Sequence, residues 1–380
     1  MARAHVNTVC KPNYGIYRIP VPSGAISAAT LIQVGRTITP GNVNRAFPRR
    51  KTNMFTSNCE CGNVLFFDSF KCVGCGVDVG VCESCHQITP IRTNERRAAR
   101  CERCHSRVTP CANREPNQIC NVWSVHSDPA GLCRSCRLTR VIPDLTVTGN
   151  IDRWRALEAA KRRVLFDLTT AGLPFDNTPE TAAQPLSFEF KADGDGPVAT
   201  GHADGRITIN VREADPVERE KTRVEFGEHQ RTLVGHFRHE LGHYYWDLLV
   251  KPFQLDQFHR LFGNECDPPY DVAKQQYYEQ GPQSDWQREF ISAYASMHPW
   301  EDFAESFAAL LDMMAVLRTA RHFQMFSVDD SDGNDFESIL ETYQRVGIAV
   351  NELNRDMGLL DLVPEVHNEP IAAGDFPRFE

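Results

Sequence analysis

Hydrophobic positions change their spacing several times along the chain, and each change marks an element. Between residues 151 and 172, Trp154, Leu157, Ala160, Val164, Leu165 and Leu168 recur at helical spacing, and Gly172 followed by Pro174 stops the run. Residues 186–190 and 206–211 alternate apolar and polar side chains and read as strands, with Ala203-Asp204-Gly205 as the turn before the second. A long helix is expected over 226–250, ended by Pro252. Residues 263–285 carry Pro268, Pro269, Gly281, Pro282 and three tyrosines, and read as a loop or lid with one short helix. Two further helices are expected over 290–317, with a break at His298-Pro299, and over 336–357, closed by Gly358.

The first 142 residues behave differently. They hold 13 of the 14 cysteines, and 19 Lys/Arg against 8 Asp/Glu, which is +11; the remaining residues hold 22 against 42, which is −20. A 380-residue chain split this way reads as an arm over 1–55, a cysteine-rich domain over 56–142 and a larger domain over 143–380. No stretch approaches the ~18 apolar residues of a membrane span. Residues 25–34 are short, contain Ser27, Thr30 and Gln33, and do not read as a signal peptide. A cytoplasmic protein with reduced thiols is expected, in which paired cysteines bind metal.

Twelve cysteines fall into close pairs, which suggests three tetrahedral zinc sites, taken in sequence order. Cys59, Cys61, Cys72 and Cys75 form the first, Cys82, Cys85, Cys101 and Cys104 the second, and Cys111, Cys120, Cys133 and Cys136 the third. His86 and His105 each follow a pair and are alternative ligands, and a cross-braced grouping uses the same residues. Cys10 and Cys266 have no such neighbours and read as ordinary small residues. Twelve thiolates with three Zn²⁺ add −12 + 6 = −6, reducing +11 to about +5, so a module that docks on the rest of the chain is favoured over a nucleic-acid binder.

His239-Glu240-Leu241-Gly242-His243 lies within the expected long helix. Histidines four apart share a face and can reach one metal ion, while Glu240 stands beside it, placed to take a proton from a metal-activated water. Trp246 and Leu249 stand where a metzincin would place its glycine and third histidine, which excludes that class. Glu301 and Glu305, four apart, offer a third ligand and a partner for an imidazole N–H. Pro299 and the acidic residues after it fit a helix start at about 298–300. His298 is a further candidate, as a ligand or a substrate contact.

The motifs H-x-x-H-E-x-G-H-Y-Y-W-D at 236–247, D-W-Q-x-x-F at 285–290 and S-A-Y-A-S-M-H-P-W-E-D-F-A-E-S-F at 292–307 resemble those of bacterial zinc-binding metallopeptidases with an N-terminal zinc ribbon. So do C-R-S-C-R-L at 133–138, I-P-D-L at 142–145 and N-E-L-N-R-D-M-G at 351–358. The resemblance spans roughly 57–365; the stretch around 82–104 looks like an inserted zinc knuckle. It implies an α+β, zincin-like metallopeptidase domain, with a small sheet and long helices, behind a small zinc-ribbon domain. The spacing from Tyr294 to Glu301 and Glu305 is similar to that of anthrax lethal factor, a gluzincin. By that analogy His239, His243 and Glu301 hold a catalytic zinc, Glu305 supports a histidine from behind, Glu240 is the base and Tyr294 stabilises the oxyanion. The expected cofactors are one catalytic and three structural zinc ions, and the expected activity is hydrolysis of a peptide or protein substrate. Residues 206–211 are the candidate edge strand for it. The alternatives are an isopeptidase or amidase, and a zinc-ribbon nucleic-acid binder with an inactive protease fold.

Overall fold

Residues 150–171 carry apolar side chains on more than one face, and the packing explains why. In the computed structural model, which describes residues 56–93, 99–176, 184–194, 196–225, 230–325 and 336–363, this helix lies between the cysteine-rich part and the rest. The expected arm, residues 1–55, lies outside the described residues.

The cysteine-rich part has a hairpin, β1 (Thr56–Asn58) and β2 (Val64–Phe66), followed by β3 (Val79–Cys82), β4 (Ile88–Thr93), β5 (Ala99–Cys101), β6 (Arg107–Pro110) and β7 (Val122–Ser124). Strands β3 to β7 close into a small barrel, with β7 parallel to β3. One helical turn, α1 (Arg134–Arg137), leads to β8 (Thr139–Val141). That strand pairs in parallel with β9 (Ser187–Lys191), so the chain passes from the ribbon directly into the sheet of the second part. The sheet order is β10-β11-β9-β8, with β10 at Gly201–Ala203 and β11 at Arg206–Asn210.

Helix α2 (Asn150–Ala171) buries Trp154, Leu157, Val164, Leu165 and Leu168 in the main core with Phe188, Phe190, Ile207 and Ile209 of the sheet. Its other side receives the ribbon: Phe166 meets Phe67 edge-on at 5.5 Å, and the Arg162 guanidinium donates to the Ile119 carbonyl at 2.7 Å. Glu158 and Lys161, both fully buried, pair at 2.9 Å; Thr139 Oγ1 donates to Glu158 at 2.6 Å and Lys161 donates to the Ser135 carbonyl at 2.9 Å. The docking expected for the ribbon is therefore observed.

After α3 (Pro216–Glu225) comes α4 (Leu233–Tyr245). It begins later than the periodicity suggests, because Thr232 caps it, its Oγ1 accepting from the Gly235 amide at 2.9 Å. Residues 226–229 lie outside the described residues. Phe237, Leu241, Tyr244 and Tyr245 of α4 are fully buried. A π-helical turn, Trp246–Val250, continues into α5 (Lys251–Phe253), so Pro252 sits within a helical turn and does not end one. Then follow α6 (Leu255–Phe262), α7 (Tyr270–Gln280), α8 (Pro299–His322) and α9 (Phe336–Asp356). Helices α3 and α6 are additions to the expected elements, and 290–298 is irregular apart from a short 3₁₀ turn at Ala295–Met297. Strand β11 is not the edge: it is paired on both sides, and the short β10, with its weak local pattern, takes that place.

Helices α4 and α8 pack at backbone distance. A Cβ on Gly242 would stand 2.7 Å from the Ala304 Cα and 3.1 Å from its carbonyl oxygen. Behind them, the buried Asp167 accepts from Arg238 at 2.9 Å and Arg318 at 2.7 Å, tying α2, α4 and α8 together. Arg238 also donates to Asp312 at 2.7 Å.

Two variants should lower stability by different routes. Gly242→Ala inserts a methyl group where α4 meets α8, with an expected cost of about 1–3 kcal/mol. Asp167→Ala removes the acceptor shared by two buried guanidiniums, with an expected cost of about 3–5 kcal/mol. Chemical denaturation of the full chain measures both; unchanged midpoints would contradict this packing.

Candidate functional site

The structure brings the twelve paired cysteines into the three sequential groups, the ligand atoms of each lying within 4.8 Å of one another. Four thiolates ~2.3 Å from one tetrahedral ion stand about 3.8 Å apart. The Sγ–Sγ distances are 3.6 Å for Cys59–Cys75, 3.4 Å for Cys61–Cys72, 3.8 Å for both Cys82–Cys104 and Cys85–Cys101, and 3.7 Å for Cys120–Cys133. All three groups fit zinc sites. Backbone amides point at the sulfurs, as from Cys104 to Cys101, Cys133 to Cys111 and Cys136 to Cys133.

His86 and His105 are not in these groups. Their φ angles are 55° and 60°, and their amides donate to the Cys82 and Cys101 carbonyls at 2.8 and 2.9 Å. They occupy the left-handed position that Gly62 and Gly76 fill, at φ 91° and 75°, in the first site. A histidine there closes the knuckle turn and leaves the ligand set all thiolate. The third site differs from the others in being wholly buried. Arg162 lies under it: burial disfavours its charge, but the nearby Cys120 and Glu158 more than compensate and hold its pKa above the ordinary value. Cys266, expected as an ordinary small residue, is not in these groups.

The second constellation lies between α4 and α8. Glu301 Oε2 is 3.0 Å from His239 Nε2 and 3.3 Å from His243 Nε2, and the two Nε2 atoms are 3.2 Å apart. Ligand atoms ~2.0–2.1 Å from a tetrahedral zinc stand about 3.3 Å apart, so this triangle fits one ion with its fourth side free. The donor chemistry agrees: two imidazoles and a carboxylate, with Glu301 buried at 2% exposure. The His239 Nδ1 faces Glu305 Oε1 at 2.6 Å, and Glu305 Oε2 accepts from the Ser292 hydroxyl at 2.8 Å. One glutamate thus faces both imidazoles and the other stands behind His239.

Glu240 is buried, and its Oε2 has no hydrogen-bond partner among the described residues. Burial raises its pKa above the ordinary carboxylate value. Burial would also raise Glu301, but the facing His243 and His239 hold it well below the usual range. The Tyr294 ring lies 5.9 Å from that of His239; burial and the charge of Glu301 push its hydroxyl well up, so it is a neutral donor. His298 is not part of the triangle. Its Nδ1 accepts from the Trp300 amide at 3.1 Å, capping α8, and its Nε2 faces the Glu265 carbonyl at 3.0 Å, tying that cap to the segment before α7. Burial lowers its pKa.

Two neighbours escaped the sequence reading. Trp300 stacks on His243 with ring centroids 3.6 Å apart. Its place beside Glu301 was the available signal. The Tyr270 hydroxyl donates to Glu301 Oε1 at 2.7 Å. Tyr270 stands 31 residues before Glu301, in a segment without periodicity, and nothing local marks it. His202 of β10 meets Tyr244 of α4 at 6.2 Å, so the true edge strand runs beside the helix that carries both histidines.

A family model described as "Putative zinc-binding metallo-peptidase" matches residues 150–374, and one described as a zinc-ribbon domain matches residues 55–147. An uncharacterized protein of Mycobacterium bovis is 35% identical over 316 residues, covering 81% of this chain and 89% of that protein. An uncharacterized protein of Mycobacterium tuberculosis matches to the same extent. No solved structure matches. Among the described residues, no helix is long and apolar enough to cross a membrane.

Four ligand groups predict four zinc ions per chain, measured by elemental analysis of protein purified without added metal. Mild chelation should remove the ion at His239, His243 and Glu301 first, because that site has an open side and one anionic ligand, whereas the others have four. A content near two, or loss of the ribbon's fold at chelator levels that leave this site loaded, would contradict the assignment.

Proposed function

The chain belongs to the zinc-binding metallo-peptidase family, and from that premise we propose that it hydrolyses peptide bonds in a peptide or protein substrate by attack of a metal-activated water. The observation that carries this reading is the convergence of His239 Nε2, His243 Nε2 and Glu301 Oε2 at 3.0–3.3 Å, beside a buried carboxylate with an unpartnered oxygen. Zinc held there supplies Lewis acidity for both the attacking water and the scissile carbonyl.

The chain's own residues supply the rest. Glu240 takes the proton from the attacking water and passes it to the departing amine; its burial makes it a stronger base than an exposed carboxylate. Tyr294, held neutral, donates its hydroxyl proton in a hydrogen bond to the oxygen on which negative charge develops. Glu305 and Ser292 orient His239 so that its Nε2 faces the metal point. The substrate backbone extends the sheet at β10, the edge beside α4, and lies across the open side of the triangle. The same reading assigns one catalytic and three structural zinc ions to the chain.

Paired measurement of bound metal and peptide cleavage across four variants tests these roles. Glu240→Gln should keep its zinc and lose turnover by about 10²-fold or more, the usual scale for acid–base catalysis. Glu301→Gln should lose both metal and activity. Glu305→Gln should weaken metal affinity by about 10- to 100-fold. Tyr294→Phe should keep the metal and turn over more slowly. Wild-type cleavage by Glu240→Gln would overturn the mechanism, and an empty site in Glu305→Gln with a loaded one in Glu301→Gln would reverse the two glutamates.

A further inference from the structure

We propose that Tyr270 is a positioning residue for the metal centre: its hydroxyl holds Glu301 as a ligand through one oxygen and keeps the other away from the ion. The inference rests on the metallopeptidase reading and concerns how that site stays open on one side.

The carboxylate of Glu301 is divided between two tasks. Its Oε2 lies against both histidines, at 3.0 and 3.3 Å, while its Oε1 accepts from Tyr270 at 2.7 Å. A free carboxylate can turn and offer both oxygens to one cation, filling the position the substrate and attacking water need. Glu301 is 2% exposed, so bulk water is poorly placed to replace the Tyr270 bond. A hydroxyl donating to an ionised carboxylate makes a strong, charge-assisted bond, and losing it leaves a buried oxygen unsatisfied.

The ring is placed for this task. Tyr270 is the first residue of α7, where Pro269 precedes it. It meets His298 edge-on at 5.2 Å and Trp300 edge-on at 5.6 Å, at the start of the helix that carries Glu301. Trp300 in turn stacks on His243. One side of the metal point is therefore set by Glu305 behind His239, and the other by Tyr270 behind Glu301. Much of α7 is exposed, and it turns inward through Tyr270, the buried Ala273 and Tyr277, whose ring meets that of Tyr294 edge-on at 5.8 Å.

The test compares Tyr270→Phe with wild type and Tyr294→Phe in the full chain. Phenylalanine keeps the ring and its packing and removes only the oxygen, so the unfolding midpoint should stay close to wild type. After mild chelation of the catalytic metal, Zn²⁺ is titrated back against a competing chelator, and Co²⁺ is loaded in parallel to read the visible bands of the site. Tyr270→Phe should bind Zn²⁺ about 10- to 100-fold more weakly, the range for lost outer partners of metal ligands. Its Co²⁺ bands should shift as the second carboxylate oxygen enters coordination, and kcat should fall with little change in KM. Tyr294→Phe should leave both metal readouts at wild type. Wild-type affinity and wild-type bands in Tyr270→Phe, with Glu301→Gln still losing its metal, would overturn this inference alone. Retention of metal by Glu301→Gln would overturn the ligand assignment beneath it.

Discussion

Two helices can offer ligands to one small ion only if their backbones come close, and here the close point is Gly242 against Ala304. With no side chain on one and a methyl group on the other, α4 and α8 approach until a Cβ on Gly242 would stand 2.7 Å from the Ala304 Cα. Gly242 lies one residue before His243, and Ala304 three residues after Glu301 and one before Glu305. The contact therefore sits inside the site it makes possible. It sets the 3 Å separations of the three ligand atoms and brings Glu305 against His239. Asp167 reinforces it from behind, holding Arg238 of α4 and Arg318 of α8 on one carboxylate. A single buried anion between two cations leaves little latitude for either helix to slide.

The ribbon takes part in the same framework and is more than an appendage. Helix α2 carries the main core on one side and the ribbon on the other, which is why Phe166 belongs with the cysteine cluster while Val164 and Leu165 belong with the sheet. The buried pair Glu158–Lys161 reaches across to Thr139 and Ser135, and Arg162 supplies positive charge beneath the third cysteine group. A divalent ion on four thiolates carries a net −2, and such a charge buried without a cation nearby would be costly. The cation beneath the third group comes from α2, outside the cysteine-rich segment that carries the basic excess.

Much of the site was legible because its signals are local. H-E-L-G-H places two ligands on one face by helical period alone, and the Cys pairs announce their tetrahedra by spacing. Glu301 and Glu305 stand out as an i, i+4 pair after Pro299, and in the structure Glu301 faces both imidazoles while Glu305 faces the other nitrogen of His239. What was not legible depends on the fold. Tyr270 reaches Glu301 only because α7 lies beside the start of α8. His298 resembles a ligand in one dimension and is a helix cap in three. Strand β11 alternates as an edge strand would, yet three residues at Gly201–Ala203, too short to show a period, cover its outer side. Phe226 stands seven positions before Leu233 and so at helical spacing, but the Thr232 cap hydroxyl decides where α4 begins. His86 and His105, alternatives to the thiolates in the sequence, take their role from a backbone angle and not from the imidazole.

Cys136, in α1, is followed within three residues by β8, and this adjacency gives the chain an order of assembly. A ribosome releases the ribbon first, and its third cysteine group is complete before residues 187–191 have been made. Strand β8 is then already fixed in direction when β9 emerges, so the sheet has a template on which to grow. The carboxylate that completes the triangle, Glu301, arrives some sixty residues after the two histidines it faces. Until α8 docks, the nascent chain carries two imidazoles and an incomplete triangle.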